Sequence, residues 1–134
     1  MFNEIVWHAF FKTKTSDKAQ KLIKNIEDVC STQVTLCKCE RYWKDSSLFD
    51  VTFTTPLNNS NVSEAVFQTL VTAHSLAYEW GVSGPYTNQE NNWMFSGITT
   101  KTKVTGIEWI EFRMICCASS KHQEAARDTW LLLC

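Results

Sequence analysis

The chain has 134 residues, the length of one ordinary domain and too short for two well-packed ones. Hydrophobic residues make up 44% and charged residues 20%, a balance that can build a core and does not require disorder. The net charge is only −1, so the message lies in where charge is placed and not in its total.

Glu4–Lys12 is apolar in both registers, with Ile5, Trp7, Ala9 and Phe11 on one face and Val6, His8 and Phe10 on the other. That pattern predicts an interior strand covered on both sides. Thr15 or Ser16 then caps a helix of about four turns, with Ala19, Leu22, Ile23, Ile26 and Val29 as its buried stripe. Strands follow over Gln33–Trp43 and Leu48–Thr55, joined by the polar loop Lys44–Ser47, and Pro56 is expected to end the second. The cluster Asn58–Asn61 opens a helix over Val62–Trp80, with Val62, Val66, Leu70, Ala73, Ala77 and Trp80 facing inward and Gly81 past its end. Val82–Asn92 reads as a loop. Trp93–Thr99 and Val104–Cys117 read as a hairpin; Ile107, Trp109, Glu111 and Arg113 share one face of the second strand. Lys121–Cys134 reads as a short terminal helix docked by Trp130, Leu131 and Leu133.

The expected fold is therefore a single α+β domain over residues 1–134. It has a ferredoxin-like β-α-β-β-α-β core with an added C-terminal hairpin strand and a terminal helix. The first strand is expected to be central, with the first two helices against it.

No run of about eighteen apolar residues exists, which excludes a transmembrane helix. Met1–Lys14 lacks the pattern of a secretory signal, so a cytoplasmic location is expected. In that compartment Cys30, Cys37, Cys39, Cys116, Cys117 and Cys134 are expected to be free thiols. Their spacing contains no CxxC pair, so no metal site is expected, and no cofactor motif is present: the glycines at 81, 84, 97 and 106 are scattered. His74 lies on an apolar helical stripe, where a core role is commoner than a catalytic one. Glu108 and Glu111 point to opposite faces of a strand and cannot act as a carboxylate pair. No catalytic residue is assigned, and an enzyme is not expected.

Charge is unevenly distributed. Residues 45–100 contain no Lys or Arg but carry Asp45, Asp50, Glu64, Glu79 and Glu90. If folded together, Asp45, Asp50, Glu79 and Glu90 with Tyr86 and Trp93 would form an acidic, aromatic surface that repels nucleic acid and steers in a basic protein.

The segments Trp93-Met94-Phe95-Ser96-Gly97-Ile98 and Gly106-Ile107-Glu108-Trp109 are similar to W-x-x-x-G and G-I-x-W strand patterns. In these, and in its size and acidic surface, the chain resembles the immunity proteins of bacterial contact-dependent growth inhibition. The resemblance implies a cytoplasmic inhibitor that binds a cognate toxin domain, a basic nuclease above all, and blocks it by occlusion. It implies no membrane association. The alternative is a small-molecule-binding or enzymatic ferredoxin-like domain with a pocket between the sheet and the second helix.

Overall fold

A computed structural model describes residues 2–88 and 90–116. The element order is β1 (Phe2–Lys12), α1 (Ser16–Cys30), β2 (Thr35–Arg41), β3 (Leu48–Asn59), α2 (Val62–Leu76), β4 (Gly81–Thr87), β5 (Trp93–Thr99) and β6 (Ile107–Cys116). The strands form a six-stranded sheet in the order β2-β3-β1-β6-β5-β4. All neighbours pair antiparallel.

This topology replaces the expected ferredoxin-like core. There, a strand following α2 would lie directly beside β1. Here the chain leaving α2 runs to the far edge as β4 and returns through β5, so β6 takes the place beside β1. The segment expected to be a loop after Gly81 therefore begins with a strand. Every residue of β4 is exposed, so no hydrophobic alternation marks it, and Gly84 and Pro85 read as a turn. The terminal helix expected over Lys121–Cys134 lies outside the described residues.

β1 sits inside the sheet, between β3 and β6. Ile5, Trp7, Ala9 and Phe11 point to one face and are essentially inaccessible. They meet Phe49, Val51 and Phe53 of β3, Ile110, Phe112 and Met114 of β6, and the helices. Trp7 is the hub. Its ring stacks on Phe53 at 6.0 Å and meets Trp80 and Phe112 at 6.2 and 5.5 Å, while its indole N–H donates to the Thr55 hydroxyl at 2.9 Å. The opposite face was expected to be covered too. Instead Val6, His8 and Phe10 are half-buried, and no described element packs over them.

Local chemistry sets the helix limits. Thr15 caps α1 by accepting from the Lys18 N–H at 3.2 Å, and Ser31 ends it in a left-handed conformation. Val29, expected on the stripe, is 47% exposed. Asn61 caps α2 through the Glu64 N–H. The helix stops at Leu76 and not at Trp80, because other groups take its terminal carbonyls. The Trp80 indole donates to the Ala73 carbonyl at 2.8 Å, and the Lys103 N–H donates to that of Leu76 at 2.8 Å. α2 also turns its small residues inward: Ala65, Thr69 and Ala73 are buried with Leu76, while Phe67 and Val71 are exposed.

β3 runs past Pro56 to Asn59. Pairing with β2 stops at Thr35 opposite Thr54, so the proline lies where β3 has a partner on one side only. β6 begins at Ile107, because Val104–Gly106 belong to the β5–β6 connection. No helix among the described residues is long and apolar enough to cross a membrane.

Candidate functional site

The exposed face of the sheet, away from the helices, is built by pairing register. Lys38 of β2, Thr52 of β3, His8 of β1 and Glu111 of β6 lie in one cross-strand row. The next row holds Glu40, Asp50, Phe10 and Trp109. Two irregularities create this register. One lies between Leu36 and Lys38, where Cys37 is the extra residue, and it brings Lys38 and Glu40 to the open face. The other leaves Glu108 unpaired between Ile107 and Trp109. It turns Ile107 into the core and keeps Trp109, Glu111 and Arg113 opposite Phe10, His8 and Val6. The strict alternation expected from Ile107 to Arg113 is thus broken at Glu108.

Between the two rows, Lys38, Asp50, His8 and Glu111 make a chain of contacts of alternating sign, while Glu40 lies opposite Asp50 with the same sign. Asp50 is central: its Oδ2 accepts from the Lys38 ammonium at 3.1 Å, and its Oδ1 lies 2.7 Å from His8 Nε2. His8 Nδ1 faces Glu111 Oε1 at 3.6 Å. All four side chains are 17–24% exposed, so solvent screens them only in part. Burial opposes protonation of His8 and is the largest single influence on it. The Glu111 and Asp50 carboxylates together outweigh burial, and the imidazole titrates above its ordinary value. Beside them, the Thr52 hydroxyl is buried with no hydrogen-bond partner.

Aromatic rings flank the array. Phe10 packs against Tyr42 at 4.6 Å and Trp109 at 5.2 Å, and His8 meets Phe10 and Trp109 edge-on at 5.3 and 5.2 Å. Tyr42 continues to Trp43 at 6.2 Å, and Trp43 is 82% exposed. The result is a surface of amphipathic rings beside paired charges, which can bury area and offer directional polar contacts.

The residues singled out in the sequence are divided by the fold. Asp50 lies in the array, with Lys38 supplying in space the counter-charge absent nearby in sequence. Asp45 is in the β2–β3 turn, where hydrogen bonds from the Ser47 hydroxyl and N–H hold its carboxyl below the usual range. Tyr86, Glu90 and Trp93 belong to the β4–β5 hairpin at the other edge. Glu79 is in the connection between α2 and β4. They do not form one acidic surface. Lys38, His8, Phe10, Tyr42 and Glu111 had no sequence motif to mark them, and Trp109 was marked only as the end of the Gly106–Trp109 pattern; what joins them is register across four strands.

Other chemistry finds little support. Cys30, Cys37 and Cys39 are free thiols. Burial pushes the Cys30 thiol up to about 11 and raises that of Cys39, the reverse of an activated nucleophile. Cys117 and Cys134 lie outside the described residues. His74 is exposed on α2. Among the described residues, no group of three or more His, Cys, Asp or Glu side chains is arranged to hold a metal ion. No protein-family model matches the chain, and no curated protein matches its sequence.

Proposed function

We propose that this chain is a protein-binding module: a cytoplasmic immunity-type inhibitor that blocks a toxin domain by occlusion, with the open sheet face as its contact surface. The observation that carries the reading is the cluster of Phe10, Tyr42, Trp43 and Trp109 beside the Lys38–Asp50–His8–Glu111 array, on a face that no described element covers. Aromatic anchors supply most of the binding energy in protein interfaces, and paired polar groups around them fix register and partner choice. The competing pocket between the sheet and α2 loses ground for a physical reason. Trp7, Trp80, Phe95 and Phe112 fill that layer, with ring separations of 5.1 to 6.2 Å.

The test is growth rescue. The toxin domain encoded directly upstream is expressed alone, then together with the chain. Wild-type chain is expected to relieve growth arrest, Trp43→Ala combined with Trp109→Ala to lose that relief, and Phe67→Ala on the helix face to keep it. No toxin domain upstream, or arrest that the wild-type chain does not relieve, overturns the function. Relief that survives the double substitution overturns the assignment of the face.

A further inference from the structure

Where β1 leads into α1, the structure contains two adjoining clefts. The larger has a volume of about 580 Å3 and is lined by Lys12, Thr13, Lys14, Arg41, Ser46 and Ser47. The smaller, about 280 Å3, shares Lys12 and Thr13 with it and adds Lys18, Lys21 and Asn25 of α1. The larger is within the range of small-molecule sites, roughly 300–1,000 Å3.

The lining is of one sign. Lys12, Lys14, Lys18, Lys21 and Arg41 face the two clefts, and no described lining residue is a carboxylate. Two acids lie near Lys12 and offset part of this charge, against five cations in the lining. Glu108 reaches Lys12 only at 4.0 Å, with both side chains more than half exposed. Asp45 also attracts Lys12, its carboxylate kept ionised by the Ser47 hydroxyl and N–H. Among the described residues Lys14, Lys18 and Lys21 have no carboxylate partner.

The larger cleft is also braced. Arg41 stacks over the Phe49 ring at 4.6 Å, and its guanidinium donates to the carbonyls of Ser46 and of Lys14, the latter at 3.1 Å. It thereby ties the β2–β3 turn to the end of β1, the two walls of the cleft. A guanidinium has five N–H donors, so this bracing leaves it capacity to bind an anion.

We propose that this cleft binds a phosphorylated small molecule. Lys12 and Lys14 pair with the phosphate, the Ser46 hydroxyl adds a hydrogen bond, and Arg41 holds the walls in position. Converging cations with a hydroxyl donor suit a compact dianion better than a single carboxylate. The cleft is large enough for an organic body attached to it.

The test uses the intact chain, with inorganic pyrophosphate and adenosine 5′-monophosphate as probes in titration calorimetry. Saturable binding is expected for both. Lys12→Ala with Lys14→Ala should weaken it by about tenfold or more, the worth of one charge-assisted contact. Lys101→Ala, on the β5–β6 connection, should leave it unchanged, and thermal melts of each variant confirm folding. Absence of saturable binding, or equal weakening by Lys101→Ala, overturns the proposal. So does a short single-stranded oligonucleotide that binds more tightly than the mononucleotide and depends equally on Lys18 and Lys21, since the clefts would then follow a nucleic-acid backbone.

Discussion

His8 holds the two sides of the charge array together, and it does so best when protonated. Its ordinary value is 6.5, and the Asp50 and Glu111 carboxylates raise it in the fold despite burial. A histidine whose value is raised on folding contributes stability in full below its unfolded value. That contribution is lost as pH rises through the folded value. Wild-type protein should therefore lose thermal stability as pH rises from about 6.5, and His8→Gln should flatten the slope over that interval. Melting curves across the range check this; a wild-type slope no steeper than that of the variant would refute the role of His8. Asp50→Asn should cost about 1–3 kcal/mol in urea unfolding, because it removes the negative charge and one of the two acceptor oxygens that the part-buried Lys38 and His8 share. In the sequence these contacts span twelve positions from Lys38 to Asp50 and forty-two from His8 to Asp50, with no motif to join them. Period-two reading does place His8 with Phe10, and Trp109 with Glu111. It does not say which strands are neighbours, and a one-residue bulge at Glu108 or Cys37 decides which side chains meet.

Elements with a buried face were legible, and the one without was not. β1, α1 and the β2–β3 and β5–β6 hairpins carry apolar periodicity and capping residues that lead directly to the observed elements. β4 is exposed along its whole length and so left no such trace, and missing it changed the topology. α2 was located by its Asn61 cap, and of its expected stripe Ala73 and Ala77 are buried and Val62, Val66 and Trp80 pack against the core, while Leu70 is exposed. Packing chose the side with the small residues Ala65, Thr69 and Ala73. The same demand for space governs Gly97 in β5. A Cβ there would lie 2.3 Å from the Phe112 ring, which is already packed by Trp7, Trp80 and Phe95. Gly97→Ala should destabilise the protein by about 1–3 kcal/mol through overpacking. Chemical denaturation measures it, and a loss under about 0.5 kcal/mol, the ordinary range of surface substitutions, would show that the layer around Phe112 has room to give.

Across the whole molecule, the width of the sheet determines which side chains can act as one surface. β3 and β4 are four strand spacings apart, roughly 19 Å at about 4.8 Å each. Asp50 on β3 and the Tyr86–Trp93 hairpin beyond it therefore occupy different parts of the surface, although the lysine-free stretch of sequence joins them. Phe10 and Trp109 are on the two middle strands, where a partner seated on the open face would exclude water most fully. Tyr86, on the edge strand, would sit at the rim. Residues at the centre of an interface control the dissociation rate far more than those at the rim. Trp109→Ala should therefore shorten the lifetime of the complex with the cognate toxin domain by at least about tenfold, a loss on the scale of 1.4 kcal/mol. Tyr86→Ala should change it by less than about threefold. The alternating charges of Lys38, Asp50, His8 and Glu111 largely cancel at a distance, so the association rate should fall only weakly with added salt. Surface-binding kinetics at low and high salt measure both rates for each variant. If Tyr86→Ala shortens the lifetime more than Trp109→Ala, and association falls steeply with salt, the partner is held by the β4–β5 hairpin and its carboxylate Glu90 instead of the open face.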